Sequence, residues 1–147
     1  MNSADSLNSV LQVRQRERDL VQQSAATARQ EVSLKQNKRN LFLQRRESLL
    51  EELRAINNAD MWDVAAVLER QEHAKVLAAD IEQAEAELND SQSRLRICLE
   101  ALLNADQSVR AVEKVIGRRV EQHRQSREKL ANREYDDTNN WRYFDRG

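Results

Sequence analysis

Apolar residues return at every seventh position through the second half of the chain. Stepping from Val67 reaches Ala74, Ile81, Leu88, Leu95, Leu102, Val109, Ile116, His123 and Leu130, and only His123 interrupts the run. A companion row, offset by three, holds Arg70, Leu77, Ala84, Ser91, Cys98, Ala105, Val112, Arg119 and Ser126. Small residues in the middle of this row suit a closely packed partner helix, and Arg119 and Ser126 mark a seam that weakens toward the C-terminus. A strict period of seven predicts left-handed supercoiling.

The first part of the chain carries two competing patterns. Val13, Leu20, Thr27, Leu34 and Leu41 form a row of sevens, whereas Val10, Val21, Val32 and Leu43 recur every eleven, so a helix is predicted without a fixed packing face. Asp5 or Ser6 is placed to cap it, and nothing breaks it before Ile56. The cluster Asn57, Asn58, Ala59 and Asp60, followed by Met61, Trp62 and Asp63, is turn-prone, and Asp60 or Asp63 can cap the helix that follows. The expected fold is all-α: an antiparallel two-helix coiled-coil hairpin with a longer second helix. Helix one spans about 5–57, the turn about 58–62, helix two about 63–135 and a tail 136–147, within a single coiled-coil domain 1–147. Antiparallel pairing about that turn sets the N-terminus opposite Val115, so helix two outruns its partner by roughly twenty residues, about 30 Å.

Composition agrees with this and narrows the function. The 147 residues include no proline and two glycines, with 33% charged and 4% aromatic side chains, which excludes a turn-rich β fold and a large compact core. A net charge of −1 gives no bulk attraction to nucleic acid or anionic lipid, so any such binding falls to local patches. One patch is Lys35, Lys38, Arg39, Arg45 and Arg46, uninterrupted by acids and crossed by Leu41, Phe42 and Leu43. It is either a surface for an acidic protein or nucleic acid, or a solvated face pairing across the hairpin with Asp80, Glu82 and Glu85. A second basic stretch, Arg118 to Glu134, lies on the expected overhang.

No glycine-rich phosphate loop, metal-spaced Cys/His cluster or nucleophile elbow is present, and His73 and His123 lie too far apart along a helix to cooperate. The reading is therefore of a chain that is not an enzyme and holds no cofactor or metal. Cys98 reads as a small buried group in the seam, and His123 as a polar residue where pairing has ended. Met61 and Trp62 form a binding tip at the turn or fold back as a staple on the second helix. Trp141, Tyr143 and Phe144 are too many large apolar groups for a solvated tail and either meet a partner surface, the favoured reading, or pack on their own chain. With neither a leader-like N-terminal pattern nor a long apolar run, a soluble cytoplasmic protein is expected. These observations leave open a generic cytoplasmic coiled-coil scaffold or tether, and a nucleic-acid-binding helical protein using the basic patch.

Architecture and two local matches point further. Glu134, Tyr135, Asp136 and Asp137, after a basic stretch, look like a Glu-x-Leu-Asp-Glu signature, and Leu77 with Ile81 looks like a spaced apolar pair early in helix two, with His73 or Ala74 where an aromatic is usual. In these features the chain resembles the FliJ family of bacterial flagellar export proteins and their YscO-like counterparts in type III secretion. The resemblance implies a non-catalytic stalk. Its terminal end would enter the central hole of a hexameric export ATPase, its hairpin side would meet the cytoplasmic domain of the export gate, and it would bind export chaperones. Neither nucleic acid nor a small-molecule substrate belongs to this reading, which places the protein in the cytoplasm, peripherally at the inner-membrane export apparatus. The corresponding contact candidates are Arg119, Arg127, Arg133 and Tyr135 for the ATPase, and Phe42, Leu43, Met61, Trp62, Leu77 and Ile81 for the gate.

Overall fold

A computed structural model describes residues 3–144. Among the described residues the regular elements are two helices, α1 (Ser3–Asn57) and the longer α2 (Val64–Phe144), which form a helical hairpin. Residues 58–63 make the turn. The Asn58 N–H donates to the Arg54 carbonyl at 3.0 Å and the Ala59 N–H to the Ile56 carbonyl at 3.2 Å, which closes α1. Asp63 then starts α2, because its side-chain Oδ1 accepts from the Ala66 N–H at 3.2 Å and its carbonyl accepts from the Val67 N–H at 3.1 Å. Such an N-cap is worth about 1 kcal/mol.

Both helices are longer than expected. α1 begins at Ser3, and α2 continues through 136–144, the stretch expected as a tail. The loss of apolar rows after Ile116 removes a packing face but not helix propensity, and after Gly117 no proline or glycine intervenes before Gly147. Thr138 settles into the helix by donating from Oγ1 to the Glu134 carbonyl at 2.7 Å.

The helices are arranged in two units. One, Leu20–Leu103, contains the turn and most of the buried groups: Ala25, Ala28 and Leu49 from α1, and Leu77, Ile81, Ala84, Leu88 and Ser91 from α2. Leu49, Leu77 and Ile81 form its apolar cluster, with Phe42, Leu43 and Ala74 packed against it. Ser91 satisfies its hydroxyl on the Leu88 carbonyl at 2.8 Å. Ion pairs record the antiparallel register of this unit. Glu52 meets Arg70 at 3.1 Å, Lys38 and Lys35 meet Glu87 at 3.3 and 3.2 Å, and Glu31 meets Arg94 at 3.7 Å, so partners advance along α2 as they retreat along α1.

Every position of the two α2 rows read from the sequence is buried or half-buried as far as Ile116. In α1 the row of sevens is exposed, whereas Val21, Val32 and Leu43 of the eleven-residue row are half-buried. Leu20, Leu34 and Leu41 face outward at 63%, 67% and 48% exposure, while the covered positions are Val21, Ala25, Ala28, Val32, Lys35, Arg39, Phe42, Leu49, Leu53 and Ile56. Lys35 and Arg39 occupy seam positions because their aliphatic stems cover apolar surface while their charged ends reach outward. Counting hydrophobes cannot see that contribution.

The other unit comprises 3–19 and 104–144. Val109, 1% exposed, is its most buried residue, flanked along α2 by the half-buried Ala105, Val112 and Ile116, while Leu7, Leu11 and Arg18 supply the covered face of α1. Arg18 Nη1 stands 3.8 Å from Asp106 Oδ1, and Arg110 holds the other Asp106 oxygen at 3.0 Å. From Gly117 to Phe144 every residue is exposed, about 40 Å of helix at 1.5 Å per residue. No helix among the described residues is long and apolar enough to cross a membrane.

Candidate interaction surfaces

The uncovered end of α2 continues the face that is a seam further up the same helix. Arg119, His123, Leu130, Arg133, Asp137 and Phe144 follow the two buried rows at the same heptad positions, now without a partner helix. Arg124 is occupied within the helix: it bridges Glu121 at 2.7 Å and Glu128 at 2.6 Å, and this pairing holds the Glu121 carboxyl below the ordinary glutamate range. Arg119, Arg127 and Arg133 form no ion pair among the described residues, so their charge is available to a partner. Arg118 and Lys129 likewise form no ion pair among the described residues. Tyr135 is 68% exposed and lies two residues from Arg133, on the opposite side of the helix. Trp141, Tyr143 and Phe144 are 77%, 88% and 88% exposed, and Asp137, Asn140, Trp141 and Phe144 line a shallow hollow.

At the turn the six expected contact residues divide by burial. Met61 and Trp62 are exposed at 88% and 59%, so the turn is an apolar tip. Trp62 precedes the Asp63 cap, the position from which a staple reaches Val67, but most of its surface remains open. Leu77 and Ile81 are 2% and 5% exposed and belong to the seam, and Phe42 and Leu43 are half-buried against them. Apolar side chains at seam positions are spent on the partner helix, which removes Leu77 and Ile81 from the accessible surface.

The basic stretch of α1 does pair across the hairpin, though with none of the three acids expected there. Lys35 and Lys38 both direct their ammonium groups to the same Glu87 oxygen, and Asp80, Glu82 and Glu85 form no ion pair among the described residues. Hydrogen bonds from Lys35, Gln83 and Lys38 hold the Glu87 carboxyl below the ordinary glutamate value. A carboxyl depressed on folding stabilises the fold above its unfolded-state value, and that contribution is lost as pH falls through the lower folded-state value. The melting temperature should therefore exceed that of Glu87→Gln at neutral pH and converge on it as the medium is acidified below the ordinary glutamate range. A gap that persists unchanged into strong acid would show that the carboxylate does not anchor this pairing.

Among curated proteins no match was found, and no solved structure matched the fold. A family model described as the flagellar FliJ protein matches residues 3–147. That match covers both helices, the turn and the uncovered end of α2. The chain belongs to the FliJ family, whose members are non-catalytic components of the flagellar export apparatus.

Proposed function

We propose that the protein is the stalk of the export apparatus, joining the hexameric export ATPase to the cytoplasmic domain of the export gate and binding export chaperones, at the cytoplasmic side of the inner membrane. The observation that carries this reading is the uncovered helix from Gly117 to Phe144. A single exposed helix is narrow enough to enter the hole of a ring, and Arg119, Arg127 and Arg133, which form no ion pair among the described residues, would meet acidic groups there. Tyr135 adds an apolar contact on the other side. The turn supplies the second contact: Met61 and Trp62 meet the gate, while Phe42, Leu43, Leu77 and Ile81 hold the helix ends that present them.

Burial makes the gate contact testable. The double variant Met61→Ala, Trp62→Ala removes exposed groups, so thermal unfolding should be nearly unchanged while affinity for the gate domain falls at least tenfold. Leu77→Ala, by contrast, should cost about 2–5 kcal/mol of stability. If the double variant bound the gate domain as tightly as the parent protein, the turn would not be the contact.

A further inference from the structure

The uncovered end of α2 changes sign along its length. Arg127, Lys129 and Arg133 are followed directly by Glu134, Asp136 and Asp137, and none of the six forms an ion pair among the described residues. Val120 and Leu130 on one side of this boundary and Trp141 on the other are exposed apolar groups that the hairpin does not use. A helix that carries three cations and then three carboxylates is complementary to a second copy of itself running the opposite way.

The heptad positions turn that complementarity into a register. In an antiparallel pair the two lines that flank the seam, four and six residues after each member of the Val67 row, face their own kind on the second helix. Arg127 and Glu134 lie on the first line, Lys129 and Asp136 on the second. With a two-fold axis between residues 131 and 132, Arg127 meets Glu134 of the second copy, Lys129 meets its Asp136, and Val120 meets its Trp141, each contact occurring twice. Between the lines Leu130 lies on the aliphatic stem of the second Arg133. Sliding by one heptad sets Arg127 and Lys129 against their own counterparts, or Glu134 and Asp136 against theirs. Parallel pairing in register does the same to Arg133 and Asp137. Of these arrangements only the first brings no like charges together.

We infer that the uncovered end of α2 pairs antiparallel with the same segment of a second copy of this chain, in that register. The length is right for it: Arg18 beside Asp106 sets Ser3 level with Glu121, so the second copy's helix ends within about one turn of where α1 begins. Few apolar groups are buried and exposed ion pairs are screened, so the dimer is weak and dissociates as salt rises. The pairing covers Arg127 and Arg133, which the stalk reading gives to the ATPase, so dimer and ring-bound stalk exclude one another.

Sedimentation equilibrium of the full chain at low salt tests this with two charge-reversed variants, Arg127→Glu with Lys129→Glu, and Glu134→Lys with Asp136→Lys. The parent chain should show a monomer–dimer equilibrium. Each variant alone opposes like charges across the two-fold axis and should dimerise at least tenfold more weakly, with helical circular dichroism unchanged. An equimolar mixture of the two restores every opposite-charge contact and should dimerise nearly as well as the parent. A parent chain that stays monomeric, equal dimerisation of the chain truncated after Arg118, indifference to the reversals, or a mixture no better than its components would each overturn the inference. No result depends on the ATPase or the gate domain, so the stalk reading stands or falls separately.

Discussion

Replacing Leu77 or Leu88 by Asp should abolish most of the helical circular dichroism of the protein. These side chains are 2% and 3% exposed, and truncation to Ala alone would cost about 2–5 kcal/mol. A carboxylate at the same position must also be desolvated without a partner or pull the helices apart to reach water. Two packed helices have no other layer to fall back on, and isolated helices draw little stability from propensity alone. Leu34→Asp is the informative control. Leu34 belongs to one of the two apolar rows of α1, yet it is 67% exposed, so its substitution should leave melting nearly unchanged. Unfolding by Leu34→Asp together with tolerance of Leu77→Asp would mean that α1 packs through its other face.

The second large effect is expected on binding. Among the described residues, truncation after Arg118 removes only exposed ones, because Ile116 is the last half-buried position of α2, so the remaining chain should stay helical with an unchanged melting temperature. The same truncation takes away Arg119, Arg127, Arg133 and Tyr135 and should abolish co-sedimentation with the hexameric ATPase, a loss of at least a hundredfold in affinity. Charge contacts made by exposed arginines are screened by salt, so the parent interaction should also weaken as ionic strength rises. Full binding and full stimulation of ATP hydrolysis by the truncated chain would place the ring contact elsewhere.

The parts of this fold that were legible in the sequence are those where one physical effect dominates. In α2 the seam is nearly all apolar, so its period of seven identifies the buried rows as far as Ile116. At the turn, the polar cluster and the capping capacity of Asp63 locate the start of α2 to within about two residues. In α1 two effects compete. The covered face includes Lys35 and Arg39, whose stems pack while their charges pair or stay solvated, and the row of Leu20, Leu34 and Leu41 is left outside. The antiparallel ion pairs with α2 decide between the faces, and those are long-range contacts that a local pattern does not contain.

The contact surfaces were legible to different degrees for the same reason. Met61, Trp62 and the basic end of α2 lie where pairing stops, and the ends of a periodic pattern are visible in sequence. Leu77 and Ile81 were expected both as seam residues and as contacts, and burial assigns them to the seam. The neutralisation of Arg124 by Glu121 and Glu128, which sets it apart from Arg119, Arg127 and Arg133, depends on side-chain geometry along one helix face.

The central claim is that the two ends of the protein meet different partners, and site-specific photo-crosslinking tests it most directly. A crosslinking side chain placed at position 127 or at position 62 of the full-length protein is irradiated in a mixture of export ATPase and gate cytoplasmic domain. Position 127 should yield adducts with the ATPase and position 62 adducts with the gate domain. Adducts of both positions with one partner, or the reverse assignment, would contradict the account.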